Sequence, residues 1–131
     1  MLWLRHPATG LAESLAELPE SYRIVALGPG DLVVGPTGMF LVGDGGRNPR
    51  VAASRLARLA RRCRQLLASE LGRAPFVDVL VVASHRHEVD GASVVSPHIL
   101  LHTLTVGPAL LDDTTVVELA STLDRRTADV E

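Results

Sequence analysis

A chain of 131 residues holds one domain's worth of core, and a second independent core is not expected. With 47% hydrophobic and 21% charged residues it is not a disordered tail, and a formal net charge of -2 excludes a uniformly basic nucleic-acid binder. All 13 basic residues are arginine and none is lysine, while Trp3, Tyr22, Phe40 and Phe76 are the only aromatics. The core is therefore built from Leu, Val, Ala and Ile.

The charge is unevenly laid out. Segment 1–46 carries net -3, segment 47–73 carries net +7 from eight arginines against Glu70, and segment 74–131 carries net -6. Such a layout bears on partners rather than on fold. A solvated helix face in a chain from a high-GC bacterial genome is the plainer account of it. The lone Cys63 permits no internal disulfide. The start MLWLRHPATG is too short in apolar residues for a signal peptide. The longest apolar run, Val79 to Ala83, falls far below the roughly 18 residues of a membrane span. A cytoplasmic protein without membrane association is expected.

In chain order, Leu11, Leu15 and Leu18 at helical spacing predict a first helix over 10–18, stopped by Pro19. Strands are expected at 22–28, 31–35 and 38–43, the last two joined by the turn Gly35-Pro36-Thr37-Gly38. After a glycine-rich loop, the strongest periodic signal covers 50–72. There Ala52, Leu56, Leu59, Ala60, Cys63, Leu66, Leu67 and Leu71 share one helical arc, and Gly72 is a natural stop. Cys63 in that arc reads as a small buried hydrophobe rather than a nucleophile. The apolar, β-branched run FVDVLVVA at 76–83 suits a strand covered on both faces. A short strand at 92–95 follows, then a brief helix from Pro97 to about Leu104 with Ser96 as N-cap. A last helix spans 111–126, capped by Asp112, Asp113 and Thr114, and residues 127–131 are expected to fray. The order predicts an α/β fold: a mixed sheet with a three-strand meander, a helical crossover and flanking helices.

The stretch DLVVGPTGMFLV, the long helix after it and the strand VDVLVVAS resemble the nuclease-related domain, NERD, across residues 10–125. That family belongs to the PD-(D/E)XK group, so the resemblance implies a restriction-endonuclease-like fold over a single domain, 1–131. It also implies acidic side chains on adjacent strands holding Mg²⁺, with a lysine beside them. Matched position by position, the early glutamate corresponds to Glu13. The aspartate before the hairpin falls on Gly30, or on Asp31 after a shift of one. The acid-x-lysine pair falls on Gly43, Asp44 and Gly45. Asp44 thus stands one position late, on the opposite face of a strand. Arg47 brings charge but cannot give up a proton as lysine can. For Asp31 and Asp44 a turn role is commoner than a ligand role.

Two further clusters invite chemistry. His85 and His87 form H-x-H, and His98 and His102 stand four apart on a helix. Four imidazoles meeting would hold Zn²⁺ or Ni²⁺, although the spacing matches no established motif and surface histidines are commoner. On the basic helix, Arg55, Arg58 and Arg62 cluster at one edge of the apolar arc, with Arg50, Arg61 and Arg64 toward the other side. Arginine forks suit phosphates and carboxylates.

The expectation is therefore a non-catalytic binding module derived from a nuclease-like domain, without a cofactor. Arg55, Arg58, Arg61 and Arg62 would face an acidic protein, a second copy or nucleic acid. The alternative is a Mg²⁺-dependent nuclease with a non-standard site at Asp31 and Asp44, with Glu13 as a residual candidate.

Overall fold

The computed structural model describes residues 9–83 and 91–130. Five strands form one sheet in chain order: β1 (Arg23–Ala26), β2 (Asp31–Gly35), β3 (Gly38–Asp44), β4 (Val77–Val82) and β5 (Ser93–Val95). The first three make the antiparallel meander, whereas β3, β4 and β5 run parallel, so β2 alone opposes the rest. The parallel step from β3 to β4 needs a crossover, and α2 (Pro49–Leu71) supplies it. The other helices are α1 (Thr9–Ala16), α3 (Pro97–Thr105), α4 (Asp113–Arg125) and α5 (Thr127–Val130).

Alternation along the strands sorts the core into two layers. Leu32, Val34, Met39, Leu41, Val77, Val79 and Val81 face α2, α4 and α5, where Leu56, Leu59, Cys63, Leu67, Val116, Leu119 and Leu123 meet them. Val33, Phe40, Val42, Leu80 and Val82 face the other way, under Leu15 of α1 and Leu100 and Leu104 of α3. β4 lies between two parallel neighbours and beneath helices on both faces, which explains its almost unbroken apolar run.

The long helix follows its apolar arc, with Ala53 buried in addition to the expected set. Asn48 caps its start by accepting from the N–H groups of Arg50 and Val51, and Gly72 ends it at φ 78, in the left-handed region that glycine enters freely. At the hairpin, Gly35 pairs with Gly38 and leaves Pro36-Thr37 as the turn. Gly35 is required because a Cβ there would lie 2.1 Å from the Tyr22 ring. The Tyr22 hydroxyl stands 2.9 Å from Thr37 Oγ1, and Thr37 donates to the Leu104 carbonyl at 2.5 Å, tying the hairpin to α3.

At the helix ends one expectation holds in position and the other needs correction. Ser96 has the extended backbone of an N-cap, yet its side chain makes no capping hydrogen bond, unlike Asp112, whose Oδ1 accepts from Thr115 N–H at 2.8 Å. Residues 127–130 form α5 rather than fraying. α5 inserts Val130, 1% exposed, into the α2/α4 layer, and Arg126 pairs with both Glu70 and Asp129 across the junction.

Candidate functional site

The parallel strands β3, β4 and β5 end at one pole of the sheet, where β2 begins and where α2 and α3 start. In open α/β sheets the carboxyl ends of parallel strands are where crevices form. Asp31, Asp44, Asn48 and the first arginines of α2 gather at this pole by topology alone.

The register resolves the two acids. Asp31 lies opposite Val42, and Asp44 follows Val42 by two, so both carboxylates stand on the α1/α3 face in diagonal positions. Diagonal neighbours of this kind lie about 7–8 Å apart at Cα. The shift by one in β2 and the shift by one in β3 are thus a single change that carries both acids to the same face. Asp31 is half-buried, and desolvation raises its carboxyl pKa. Asp44 is exposed, and its Oδ1 accepts from Gly46 N–H at 2.9 Å, the bond of a turn residue. Glu13 is exposed on α1 and does not complete a set with them: among the described residues no three His, Cys, Asp or Glu side chains group to hold a metal ion.

Gly30 and Gly43, where the resemblance places its acids without any shift, face α2 and are closed. A Cβ on Gly30 would stand 2.7 Å from Leu56 Cδ2 and 2.8 Å from the Val42 carbonyl oxygen; one on Gly43 would stand 2.8 Å from Leu56 Cδ1. Gly45, at the lysine position, packs against Val81 and the Val82 carbonyl. Leu56 is fully buried and fills the space that these side chains would need. Its contribution was not readable from the sequence, where it is one leucine of a regular arc.

His98 and His102 are both exposed on α3, neither being partly buried, and His85 and His87 lie outside the described residues. Cys63 is buried, with its thiol pKa pushed up to about 11 by desolvation, as a core residue rather than a nucleophile.

The arginine helix separates into held and free members. Arg62 reaches the Val130 carbonyl at 3.5 Å on one side, and Arg64 donates to the Pro75 carbonyl at 3.3 Å on the other, as the two-edged wheel implies. Arg50, Arg55, Arg58 and Arg61 are exposed and form no ion pair among the described residues. A shallow groove of about 370 Å³ opens on the first half of α2, lined by Asn48, Arg50, Val51, Ser54, Arg55 and Arg58. Arg50 is the member that the sequence reading left out of the binding set. The 50, 54, 58 spacing, four residues apart on one exposed helical face, is the signal that finds it. No acid occupies the first turn of α2.

Among the described residues no helix is long and apolar enough to cross a membrane. Compared with protein-family models, with curated proteins and with solved structures, the chain matches none.

Proposed function

We propose that this chain is a non-catalytic binding module on a restriction-endonuclease-like frame, and that the outer face of α2 takes an anionic partner. The observation that carries this reading is the groove bearing Arg50, Arg55 and Arg58, with no carboxylate in its lining. Guanidinium forks meet phosphate or carboxylate oxygens two at a time, so three on one face select an anion of several charges. The frame is supported by the order of elements: an early helix, a meander, a long helix and a buried strand, as the resemblance to NERD domains implies. Loss of catalysis is supported by the closure of Gly30 and Gly43 under Leu56 and by the lack of any lysine.

The partner of this face is not a second α2. A two-fold dimer brings the same patch of each copy together, which here sets guanidinium against guanidinium. An acidic protein segment and nucleic-acid phosphates remain. With so few aromatics to stack on bases, duplex is the nucleic acid to test. Fluorescence anisotropy with a labelled duplex and with a labelled poly-glutamate peptide separates the two. Binding of one of them should weaken with salt and disappear in the Arg55→Glu/Arg58→Glu double variant. For duplex contacted at three or four phosphates, the slope of log K against log salt should be about -3. Failure of both anions to bind at low salt, or unchanged binding by the double variant, refutes the reading.

A second reading rests on the shared face of Asp31 and Asp44: a Mg²⁺-dependent nuclease with a non-standard site. Cleavage of plasmid DNA that requires Mg²⁺ and is lost in both Asp31→Asn and Asp44→Asn would replace the first reading with this one.

A further inference from the structure

The groove on the first half of α2 is not uniformly cationic. Val51 lies in it, 51% exposed, beside Ser54. At 3.6 residues per turn, Arg50 and Arg55 stand about 140° apart around the helix axis, and Val51 and Ser54 fall between them. Arg58 also falls between them, about two turns beyond Arg50, and closes the far end. At the near end the Asn48 side-chain oxygen is committed to the N–H groups of Arg50 and Val51, so charge recognition falls to the arginines. An apolar side chain thus sits inside an arc of three guanidinium groups, none of them in an ion pair among the described residues.

This lining discriminates between anions. A row of duplex phosphates brings charge but no apolar group. It would press ionic oxygens against Val51, where they lose water and gain no partner. An acidic polypeptide brings both kinds of group. Its carboxylates meet the guanidinium forks, and an aliphatic side chain among them covers Val51. The concavity, about 370 Å³, lies at the small end of binding clefts and suits one or two side chains rather than the width of a duplex.

Resting on the anion-binding reading of this face, we propose that its partner is an acidic polypeptide segment with an apolar anchor. The anchor packs on Val51, and carboxylates on either side of it meet Arg50, Arg55 and Arg58. The test uses the full chain and two labelled peptides of equal length and charge. One is built of glutamate and serine; the other has leucine in place of its central serine. By anisotropy the leucine peptide should bind about tenfold tighter. Both affinities should fall with salt, while their ratio holds, because screening acts on the charges and not on the anchor. Val51→Ser should abolish the leucine preference and leave the serine peptide at wild-type affinity. Val51 is half-exposed, so this variant should keep the wild-type circular dichroism spectrum. Equal affinity for the two peptides, a preference that survives Val51→Ser, or a duplex that binds tighter than the leucine peptide at matched salt overturns the proposal and leaves the anion-binding face standing. Failure of both peptides and of duplex at low salt overturns the two together.

Discussion

If Leu56 is what closes Gly43, then removing Leu56 should make a side chain at Gly43 acceptable. Leu56 is 1% exposed and lies in the α2-side core, so Leu56→Ala should cost about 3–4 kcal/mol, transfer and cavity terms together. For a chain of 131 residues each kcal/mol moves the midpoint by roughly 3–4 °C, so the variant should melt roughly 10–14 °C lower. Gly43→Ala alone brings a methyl to 2.8, 3.2 and 3.4 Å from three atoms of Leu56, which must shift within a packed core. Overpacking of this size costs about 1–3 kcal/mol, offset by about 0.5–1 kcal/mol gained on replacing a strand glycine, for a net loss of about 1–2 kcal/mol. In the Leu56→Ala background the obstacle is gone, and Gly43→Ala should become neutral or stabilising, a coupling of about 2 kcal/mol. Gly30 is the internal control. A methyl there also meets the Val42 carbonyl oxygen at 2.8 Å, which is backbone and remains when Leu56 is cut back. Gly30→Ala should therefore stay destabilising in both backgrounds. Urea titrations of the five variants and the wild type read all of this. A Gly43→Ala cost that is the same with and without Leu56, or equal rescue of Gly30→Ala, refutes the account of how the two positions are closed.

Four further outcomes are expected. Asp31 has a folded-state carboxyl pKa raised by desolvation, so its contribution favours the fold at low pH and is lost as pH rises through the carboxylate range; Asp31→Asn should stabilise the chain at pH 7 in a thermal melt and leave it little changed below pH 3. Asp112 works in the opposite sense, its pKa lowered chiefly by its hydrogen bond to Thr115, so Asp112→Ala should lower the midpoint at pH 7 more than under acid. The Cys63 thiol, buried and with a pKa of about 11, should resist a disulfide reagent at pH 8 until denaturant unfolds the chain, and fast native-state labelling would contradict its place in the core. Val130→Ala should cost about 1–2 kcal/mol by urea titration, whereas a frayed terminus would register nothing.

The elements were legible where short-range physics decides them. The leucine spacing of α2, its Gly72 end and the two-sided burial of β4 all follow from periodicity and turn chemistry. Val130 was not legible, because a single valine in a polar tail has no partner in sequence; its partners lie on α2 and α4. The acids failed for a related reason. Each shift by one could be counted alone, but only the β2–β3 register shows that Asp31 and Asp44 turn to the same face together. The arginines were legible as a run. Which of them are free was not, since Arg62 and Arg64 are held by carbonyls contributed 68 and 11 residues away.

The start of α2 has an energetic consequence of its own. The aligned peptide dipoles already give that end of the helix partial positive charge, and Arg47 and Arg50 add to it with no acid in the first turn. The unliganded chain thus carries a frustrated charge distribution, which small ions in the solvent relieve in part. Moderate salt should raise the stability of the free protein while lowering its affinity for a multivalent anion. A partner that neutralises this end relieves the same repulsion, so thermal stability becomes a direct readout of occupancy.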